Sequence, residues 1–204
     1  MWLLPSRGRP HLAQRLFSTG NFNTPGLLIL DVGDSEKYED VKLPEGWEKI
    51  IRHRMFLSGK INAGFEYRPD ESWYGVLNDD HLPITPGWDT KIVEALKGPL
   101  VWPQDNYADR ISVPVMDGDF ARKLGWVACP ELKHFYLDDV NELIADCFGC
   151  SRLEDVMVSH EHVNAGRMAP DLTWHERPSN AEDRLAFVIW CRDKWPALRE
   201  SLGC

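Results

Sequence analysis

Between residues 73 and 81 the chain reads Trp-Tyr-Gly-Val-Leu-Asn-Asp-Asp-His, and the turn after it carries Pro83 and Pro86. Trp73 to Leu77 is an aromatic and β-branched run of the length of a buried strand. Its carboxyl end delivers Asp79 and Asp80 to the edge of a core, where ionised carboxylates are costly unless something positive meets them. A divalent cation is the direct answer. Hard cations take carboxylate oxygens, and the neighbouring imidazole suits manganese or another transition metal. The ordinary alternative is a pair of aspartates capping a turn ahead of Pro83.

Composition narrows the class. At 204 residues with 43% hydrophobic content and nine tryptophans, one moderate domain with a full core is expected over 1–204. A net charge of −9 argues against nucleic-acid binding driven by bulk electrostatics. A local basic groove from Arg7, Arg9, Arg15, Arg52, His53, Arg54 and Lys60 stays compatible with it. No apolar run reaches the roughly 18 residues of a membrane span. The start, Met-Trp-Leu-Leu-Pro-Ser-Arg-Gly-Arg, lacks a signal h-region, so cytoplasmic residence is the expectation. The five cysteines do not arrange as a disulfide framework, and the lone pair Cys147 and Cys150 lacks the second pair a zinc site needs.

In chain order, Trp2 to Leu4 reads as a strand, Pro5 to Pro10 as a basic loop and His11 to Phe17 as a helix, with Pro10 in its first turn. Strand, basic glycine-containing loop and helix is an arrangement that meets phosphates. Gly26 to Leu30 is a continuous apolar run, the mark of a strand covered on both faces, and it ends at Asp31. Glu36 to Glu48 reads as a loop and Lys49 to Ile51 as a short strand. Ser58, as N-cap, opens a helix to Glu66 that carries Lys60. A helix over Trp88 to Lys97 stops at Gly98-Pro99, and strands are expected at Leu100 to Trp102 and Ile111 to Met116. Asp117 to Leu124 is a helix. Asp138 and Asp139 open another, where acids complement the helix dipole. Val156 to Ser159 is a strand ending in His160-Glu161-His162, and strand alternation sets the two histidines on one face. Asp183 to Trp195 closes the chain as a helix with Leu185, Val188 and Ile189 at helical spacing.

Strand–helix alternation with carboxylates at strand ends points to an α/β layer that binds ligands at its carboxyl edge. Taken together, the motifs resemble those of a small glycosyltransferase of the GT-A fold, family-2-like, of the type found in bacteriophages and actinobacteria. The resemblance spans almost the whole chain. Leu-Pro-Ser-Arg-Gly-Arg-Pro at 4–10 is similar to the nucleotide-binding start of such enzymes. Asn78-Asp79-Asp80-His81 with Thr85, Pro86, Gly87 and Trp88 resembles their Asp-x-Asp motif. Gly125, Pro130, His134, Tyr136 and Asp138 resemble the stretch that carries the base, and His160, His162, Gly166, Arg167 and Asp171 resemble the segment that returns to the metal. Two positions depart from the pattern. Asn78 stands where an acid or glycine is usual, and Arg167 where lysine is usual, which keeps the charge and changes its geometry.

The resemblance implies a single-domain, Rossmann-like mixed sheet flanked by helices, with a nucleotide-binding half at about 1–100, an acceptor-binding half at about 101–204 and a C-terminal segment returning to the active site. It implies a nucleotide-diphosphate sugar as donor and a divalent cation, Mn2+ or Mg2+, as cofactor. Asp80, with His162 as first choice and His160 as second, would hold the cation. Pro5, Ser6, Arg7, Arg9, Asp31, Lys60 and Asp79 would bind the nucleotide sugar. Asp138, or its neighbour Asp139, would take the proton of an acceptor hydroxyl in an inverting transfer. The acceptor class implied for phage enzymes of this look is a hydroxylated base in DNA. Competing readings of the same residues are a nucleotidyltransferase, a metal-dependent hydrolase using Asp79, Asp80, His81, His160 and His162, and a nucleotide-sugar-binding protein without turnover.

Overall fold

The hydrophobic runs of the first half alternate between two sides of one sheet. Trp2 and Leu4 enter one apolar cluster and Leu3 the other; Leu28 and Leu30 part from Leu27 and Ile29 in the same way. A strand with both faces covered needs apolar residues at every position, which is what these runs supply.

The computed structural model describes residues 1–107 and 110–204. Strand β1 (Trp2–Pro5) leads into helix α1 (Pro10–Thr19), which begins on the proline. Then come β2 (Gly26–Asp31), a 3-10 helix over Val32–Tyr38, β3 (Trp47–Arg52), α2 (Leu57–Tyr67) and β4 (Trp73–Val76). They are followed by β5 (His81–Pro83), α3 (Trp88–Ala95), β6 (Leu100–Gln104), β7 (Val115–Asp117) and α4 (Gly118–Leu124). The chain ends with α5 (Leu137–Phe148), β8 (Arg152–His160), a 3-10 turn at Val163–Ala165, α6 (Leu172–His175), α7 (Asn180–Asp193) and α8 (Trp195–Leu202).

The eight strands lie in the order β3-β2-β1-β4-β7-β6-β8-β5. The β3-β2-β1-β4 part is parallel, and β7 runs antiparallel between β4 and β6. This is the expected α/β architecture, a mixed sheet flanked by helices. Helices α1 and α3 cover one face through Leu16, Phe17, Trp88 and Ile92. Helices α2, α4, α5 and α7 cover the other through Ile61, Phe120, Ile144 and Trp190. Gly75 lets β4 lie against β1, since a Cβ there would sit 2.3 Å from the Trp2 ring.

Several local expectations are corrected. Ser58 does not cap α2; the N-cap is Phe56, and Ser58 Oγ donates instead to the Leu132 carbonyl. Residues 32–38 are helical rather than loop from 36 on, because Tyr38 is drawn into the core and its hydroxyl into the site. The strand expected from Ile111 begins only at Val115. The closing helix is two helices, broken before Trp195-Pro196. Its Leu185, Val188 and Ile189 stripe faces outward, while Asp183 and Trp190 face in. Cys147 and Cys204, 57 residues apart, form a disulfide with Cα atoms 5.7 Å apart; α8 brings them together, which no spacing in the sequence encodes. Among the described residues no helix is long and apolar enough to cross a membrane.

Candidate active site

The carboxyl ends of β1, β4 and β8 meet beside a cavity of about 290 Å³. The loop after β1 supplies Pro5, Ser6, Arg7 and Arg9 to its wall. The loop after β4 supplies Asn78, Asp79 and Asp80. Strand β8 supplies His160, and the turn beyond it His162. Helix α2 adds Lys60 and the start of α5 adds Asp138. Residues from 5 to 178 thus converge on one space.

Asp79 and Asp80 are neighbours with different duties. Asp79 accepts from Ser6 Oγ at 2.6 Å, and its other oxygen lies 3.3 Å from Arg9 Nη1. Ser6 in turn bonds Tyr38, whose hydroxyl also takes the Arg9 backbone N–H. Asp79 therefore ties the β1 loop to the β4 loop. Burial, added to by the charge of Asp80, pushes its carboxyl up to about 7. Asp80 goes the other way. Burial opposes its charge, but His160, His81 and Arg9 outweigh that and hold it well below the usual carboxylate range.

Asp80 Oδ1 is buried without a hydrogen bond and lies 3.5 Å from His160 Nε2. His81, fully buried beneath it, also has an unpartnered Nε2. Ligand atoms of Asp80, His81 and His160 lie within 4.8 Å of one another, the one such group of buried residues that can hold a cation among those described. His160 Nδ1 faces Asp105 Oδ2 at 3.4 Å. Burial pulls His160 down, yet Asp105 and Asp80 overcome it and raise the imidazole to about 9. Burial and the charge of His160 push His81 down to about 3.

His162 lies apart from this group. Strand β8 ends at His160, so alternation does not extend to it. Its Nδ1 accepts the Asn164 N–H, and its ring stacks on Tyr107 with centroids 4.7 Å apart. It still borders the cavity. Asp31 is turned away from the wall and pairs with Lys60 Nζ at 2.9 Å; Lys60 also donates to the Ser6 carbonyl. Arg9 is held by acids rather than open to an anion. It bonds Asp171 through Nε and Nη2 at 2.6 and 2.9 Å and faces Asp79 and Asp80. Through that clamp the segment after β8 returns to the site, as expected for the C-terminal part. Thr173 Oγ1 adds a bond to the Arg7 carbonyl, and a Cβ on Gly8 would sit 2.9 Å from that hydroxyl. Gly8 also has φ +68°, so glycine is required there twice over.

Asp138 borders the cavity at the start of α5, where Arg110 Nη1 bonds both Asp138, at 3.1 Å, and Asp139, at 2.8 Å. The loop before it is shaped by Asp183 of α7, which accepts the N–H groups of Lys133, His134 and Phe135. Sequence reasoning missed Asp105 and Arg177. Asp105 directly follows β6, much as Asp31 closes β2, so a strand-end signal was present. Arg177, stacked 3.3 Å from the Trp174 ring centre, borders the cavity from a loop with no pattern to mark it.

No protein-family profile and no curated protein sequence matches the chain. Solved structures share its fold, two of them as follows. A mannosyltransferase from Pyrobaculum calidifontis, in complex with GDP-Man and Mn2+, superposes with a TM-score of 0.61 at 9% identity, over 99% of this chain and 72% of that one. A protein assigned as a nucleotide-diphospho-sugar transferase from Desulfovibrio desulfuricans G20 gives 0.51 at 12% identity, over 94% and 83%. At these identities the likeness is one of fold.

Proposed function

We propose that this chain transfers a sugar from a nucleotide-diphosphate sugar to an acceptor hydroxyl, with a divalent cation held at Asp80. One observation carries the reading. A buried carboxylate oxygen without a hydrogen bond lies beside two imidazoles, at the strand end that borders the cavity. An aspartate with histidines is a donor set suited to Mn2+, and the fold is shared with a transferase solved with GDP-Man and Mn2+. The residues present therefore fit the cation, with Asp80 and the imidazoles beside it as the group that would hold it. Bound there, the cation would neutralise charge on the departing diphosphate as a Lewis acid.

The chain's own residues divide the remaining work. Pro5, Ser6, Arg7 and Lys60 form the wall against which the nucleotide sugar lies. Arg7 and Arg177 are the cavity arginines not clamped by carboxylates as Arg9 is, and they would meet the phosphates. Asp79 and Arg9 fix the loops that carry these groups. Asp138 would accept the acceptor proton during in-line attack with inversion. Arg110 bonds Asp138, so acceptor binding has to draw Arg110 away before that oxygen takes a proton. The acceptor is a hydroxyl compound, and a hydroxylated DNA base is one to be tried.

The test is release of nucleoside diphosphate from a panel of nucleotide sugars, with Mn2+ or with chelator, offered sugars, glycans and hydroxymethylated DNA as acceptors. Metal-dependent release of one diphosphate, lost in Asp80→Ala, is the expected result. Hydrolysis of simple phosphate esters with no turnover of any nucleotide sugar would instead favour a metal-dependent hydrolase.

A further inference from the structure

A histidine ligates a cation through a ring lone pair, and its other nitrogen is usually held by an acceptor that fixes where the proton sits. The two buried histidines of the site differ in this respect. His81 Nδ1 accepts the Asn78 backbone N–H at 3.0 Å. A neutral imidazole that accepts at Nδ1 carries its proton on Nε2. That Nε2–H is buried, without an acceptor, in the same group as the unpartnered Asp80 Oδ1. His81 therefore brings a donor to the group, not a lone pair.

His160 is held the opposite way. Its Nδ1 faces Asp105 Oδ2 at 3.4 Å, an ion-pair approach, and neither atom has a hydrogen-bond partner among the described residues. Asp105 is fixed for this. Its side chain is 3% exposed, and its Oδ1 takes the Tyr107 N–H at 2.6 Å. The next residue, Asn106, accepts the His160 backbone N–H at 3.0 Å through Oδ1. The loop leaving β6 thus holds both the backbone and the ring of His160. With Nδ1 turned to Asp105, Nε2 faces Asp80, and a cation bound there would take the place of the Nε2 proton.

We infer that Asp105 is a positioning residue for the cation site. It fixes His160 with its proton on Nδ1, so that Asp80 and His160 Nε2 ligate the cation. His81, whose Nε2 carries a proton toward the group, does not ligate. The inference rests on the cation-dependent reading given under Proposed function and sorts the three residues of that group into ligands and donor. Two protein ligands leave positions for water and for phosphate oxygens, as in sites where a substrate completes the shell of a hard cation.

The experiment is a calorimetric titration with Mn2+ alone, on wild type, Asp80→Ala, Asp105→Ala and Asp105→Asn, each checked for folding by circular dichroism. Pulsed EPR on Mn2+-loaded wild type, which needs no variant, then counts the coordinated imidazole nitrogens. Asp105→Ala is expected to weaken Mn2+ binding about 10- to 100-fold. Asp105→Asn should weaken it less, since its amide oxygen can still accept from Nδ1–H. One coupled imidazole nitrogen per Mn2+ is expected. Two coupled nitrogens, or unchanged affinity in folded Asp105→Ala, would overturn the inference. If wild type binds, Asp80→Ala does not and Asp105→Ala binds as wild type does, the cation site stands and the role of Asp105 falls. If wild type binds no Mn2+, both fall.

Discussion

Asp79 and Asp80 both border the cavity, while of Asp138 and Asp139 only Asp138 does; each pair meets one arginine, yet the two are built differently. The first pair is buried, and Arg9, itself buried, is locked between it and Asp171. The second opens a helix at the surface; the Asp138 side chain is 34% exposed and its Arg110 partner 46%. A buried arginine with three carboxylates cannot leave without stranding charge in the core. An exposed one can, at small cost. The first pair is thus a fixed frame and, on the proposed reading, it keeps Asp80 aimed into the candidate cation site. The second is an exposed pairing and, on the same proposed reading, an acceptor could draw Arg110 off Asp138 at small cost.

The sharpest way to break this contrast is Asp80→Ala. It should abolish Mn2+ binding and lower metal-dependent turnover on the order of 10³-fold, read by diphosphate release. Retained metal dependence would place the cation elsewhere. Asp138→Asn comes next. Turnover should fall about 10²- to 10⁴-fold while nucleotide binding, followed by calorimetry, is unchanged. Turnover within a few fold of wild type would move the base role to Asp139 or away from α5. Arg9→Met tests the frame itself. It leaves Asp79, Asp80 and Asp171 facing one another, and denaturant unfolding should show a loss of about 3–5 kcal/mol. A loss under about 1 kcal/mol would mean the clamp is not structural. Arg110→Ala is the counterpart in the exposed pair and should cost at most about 1 kcal/mol on the same assay. A loss as large as that of Arg9→Met would erase the distinction.

Much of the fold was legible because the first half obeys simple rules. Leu27 to Leu30 and Trp73 to Val76 are buried at every position and proved to be inner strands. Pro10 started α1, and Asp117, although read as the first helical residue, caps α4 through its side chain. Strand β5 was hidden because three residues ending in proline look like a turn, and only pairing with β8 makes them a strand. In α7 the spacing of Leu185, Val188 and Ile189 revealed a helix but not its covered face. Burial there follows Trp190 and Asp183, whose carboxylate gathers three backbone N–H groups.

The site was legible where residues sit at strand ends and illegible where pairing decides. Asp80 was readable from its position; His160 was too, but ranked behind His162, which lies outside the group of Asp80, His81 and His160. Arg9 read as a phosphate ligand because its three carboxylate partners come from residues 70 to 162 positions away. Asp31 read as a nucleotide contact, and nothing near it in the chain marks its pairing with Lys60. Asp105 carried the same strand-end signal as Asp31, but nothing local announced that His160 would fold against it.

The decisive experiment is a calorimetric titration of the protein with GDP, UDP, CDP and dTDP, each with Mn2+ and again with chelator. One diphosphate should bind, its binding should require the metal, and Asp80→Ala should lose it. Binding of none, or equal binding with and without Mn2+, would contradict a cation-assisted nucleotide-sugar site at Asp80.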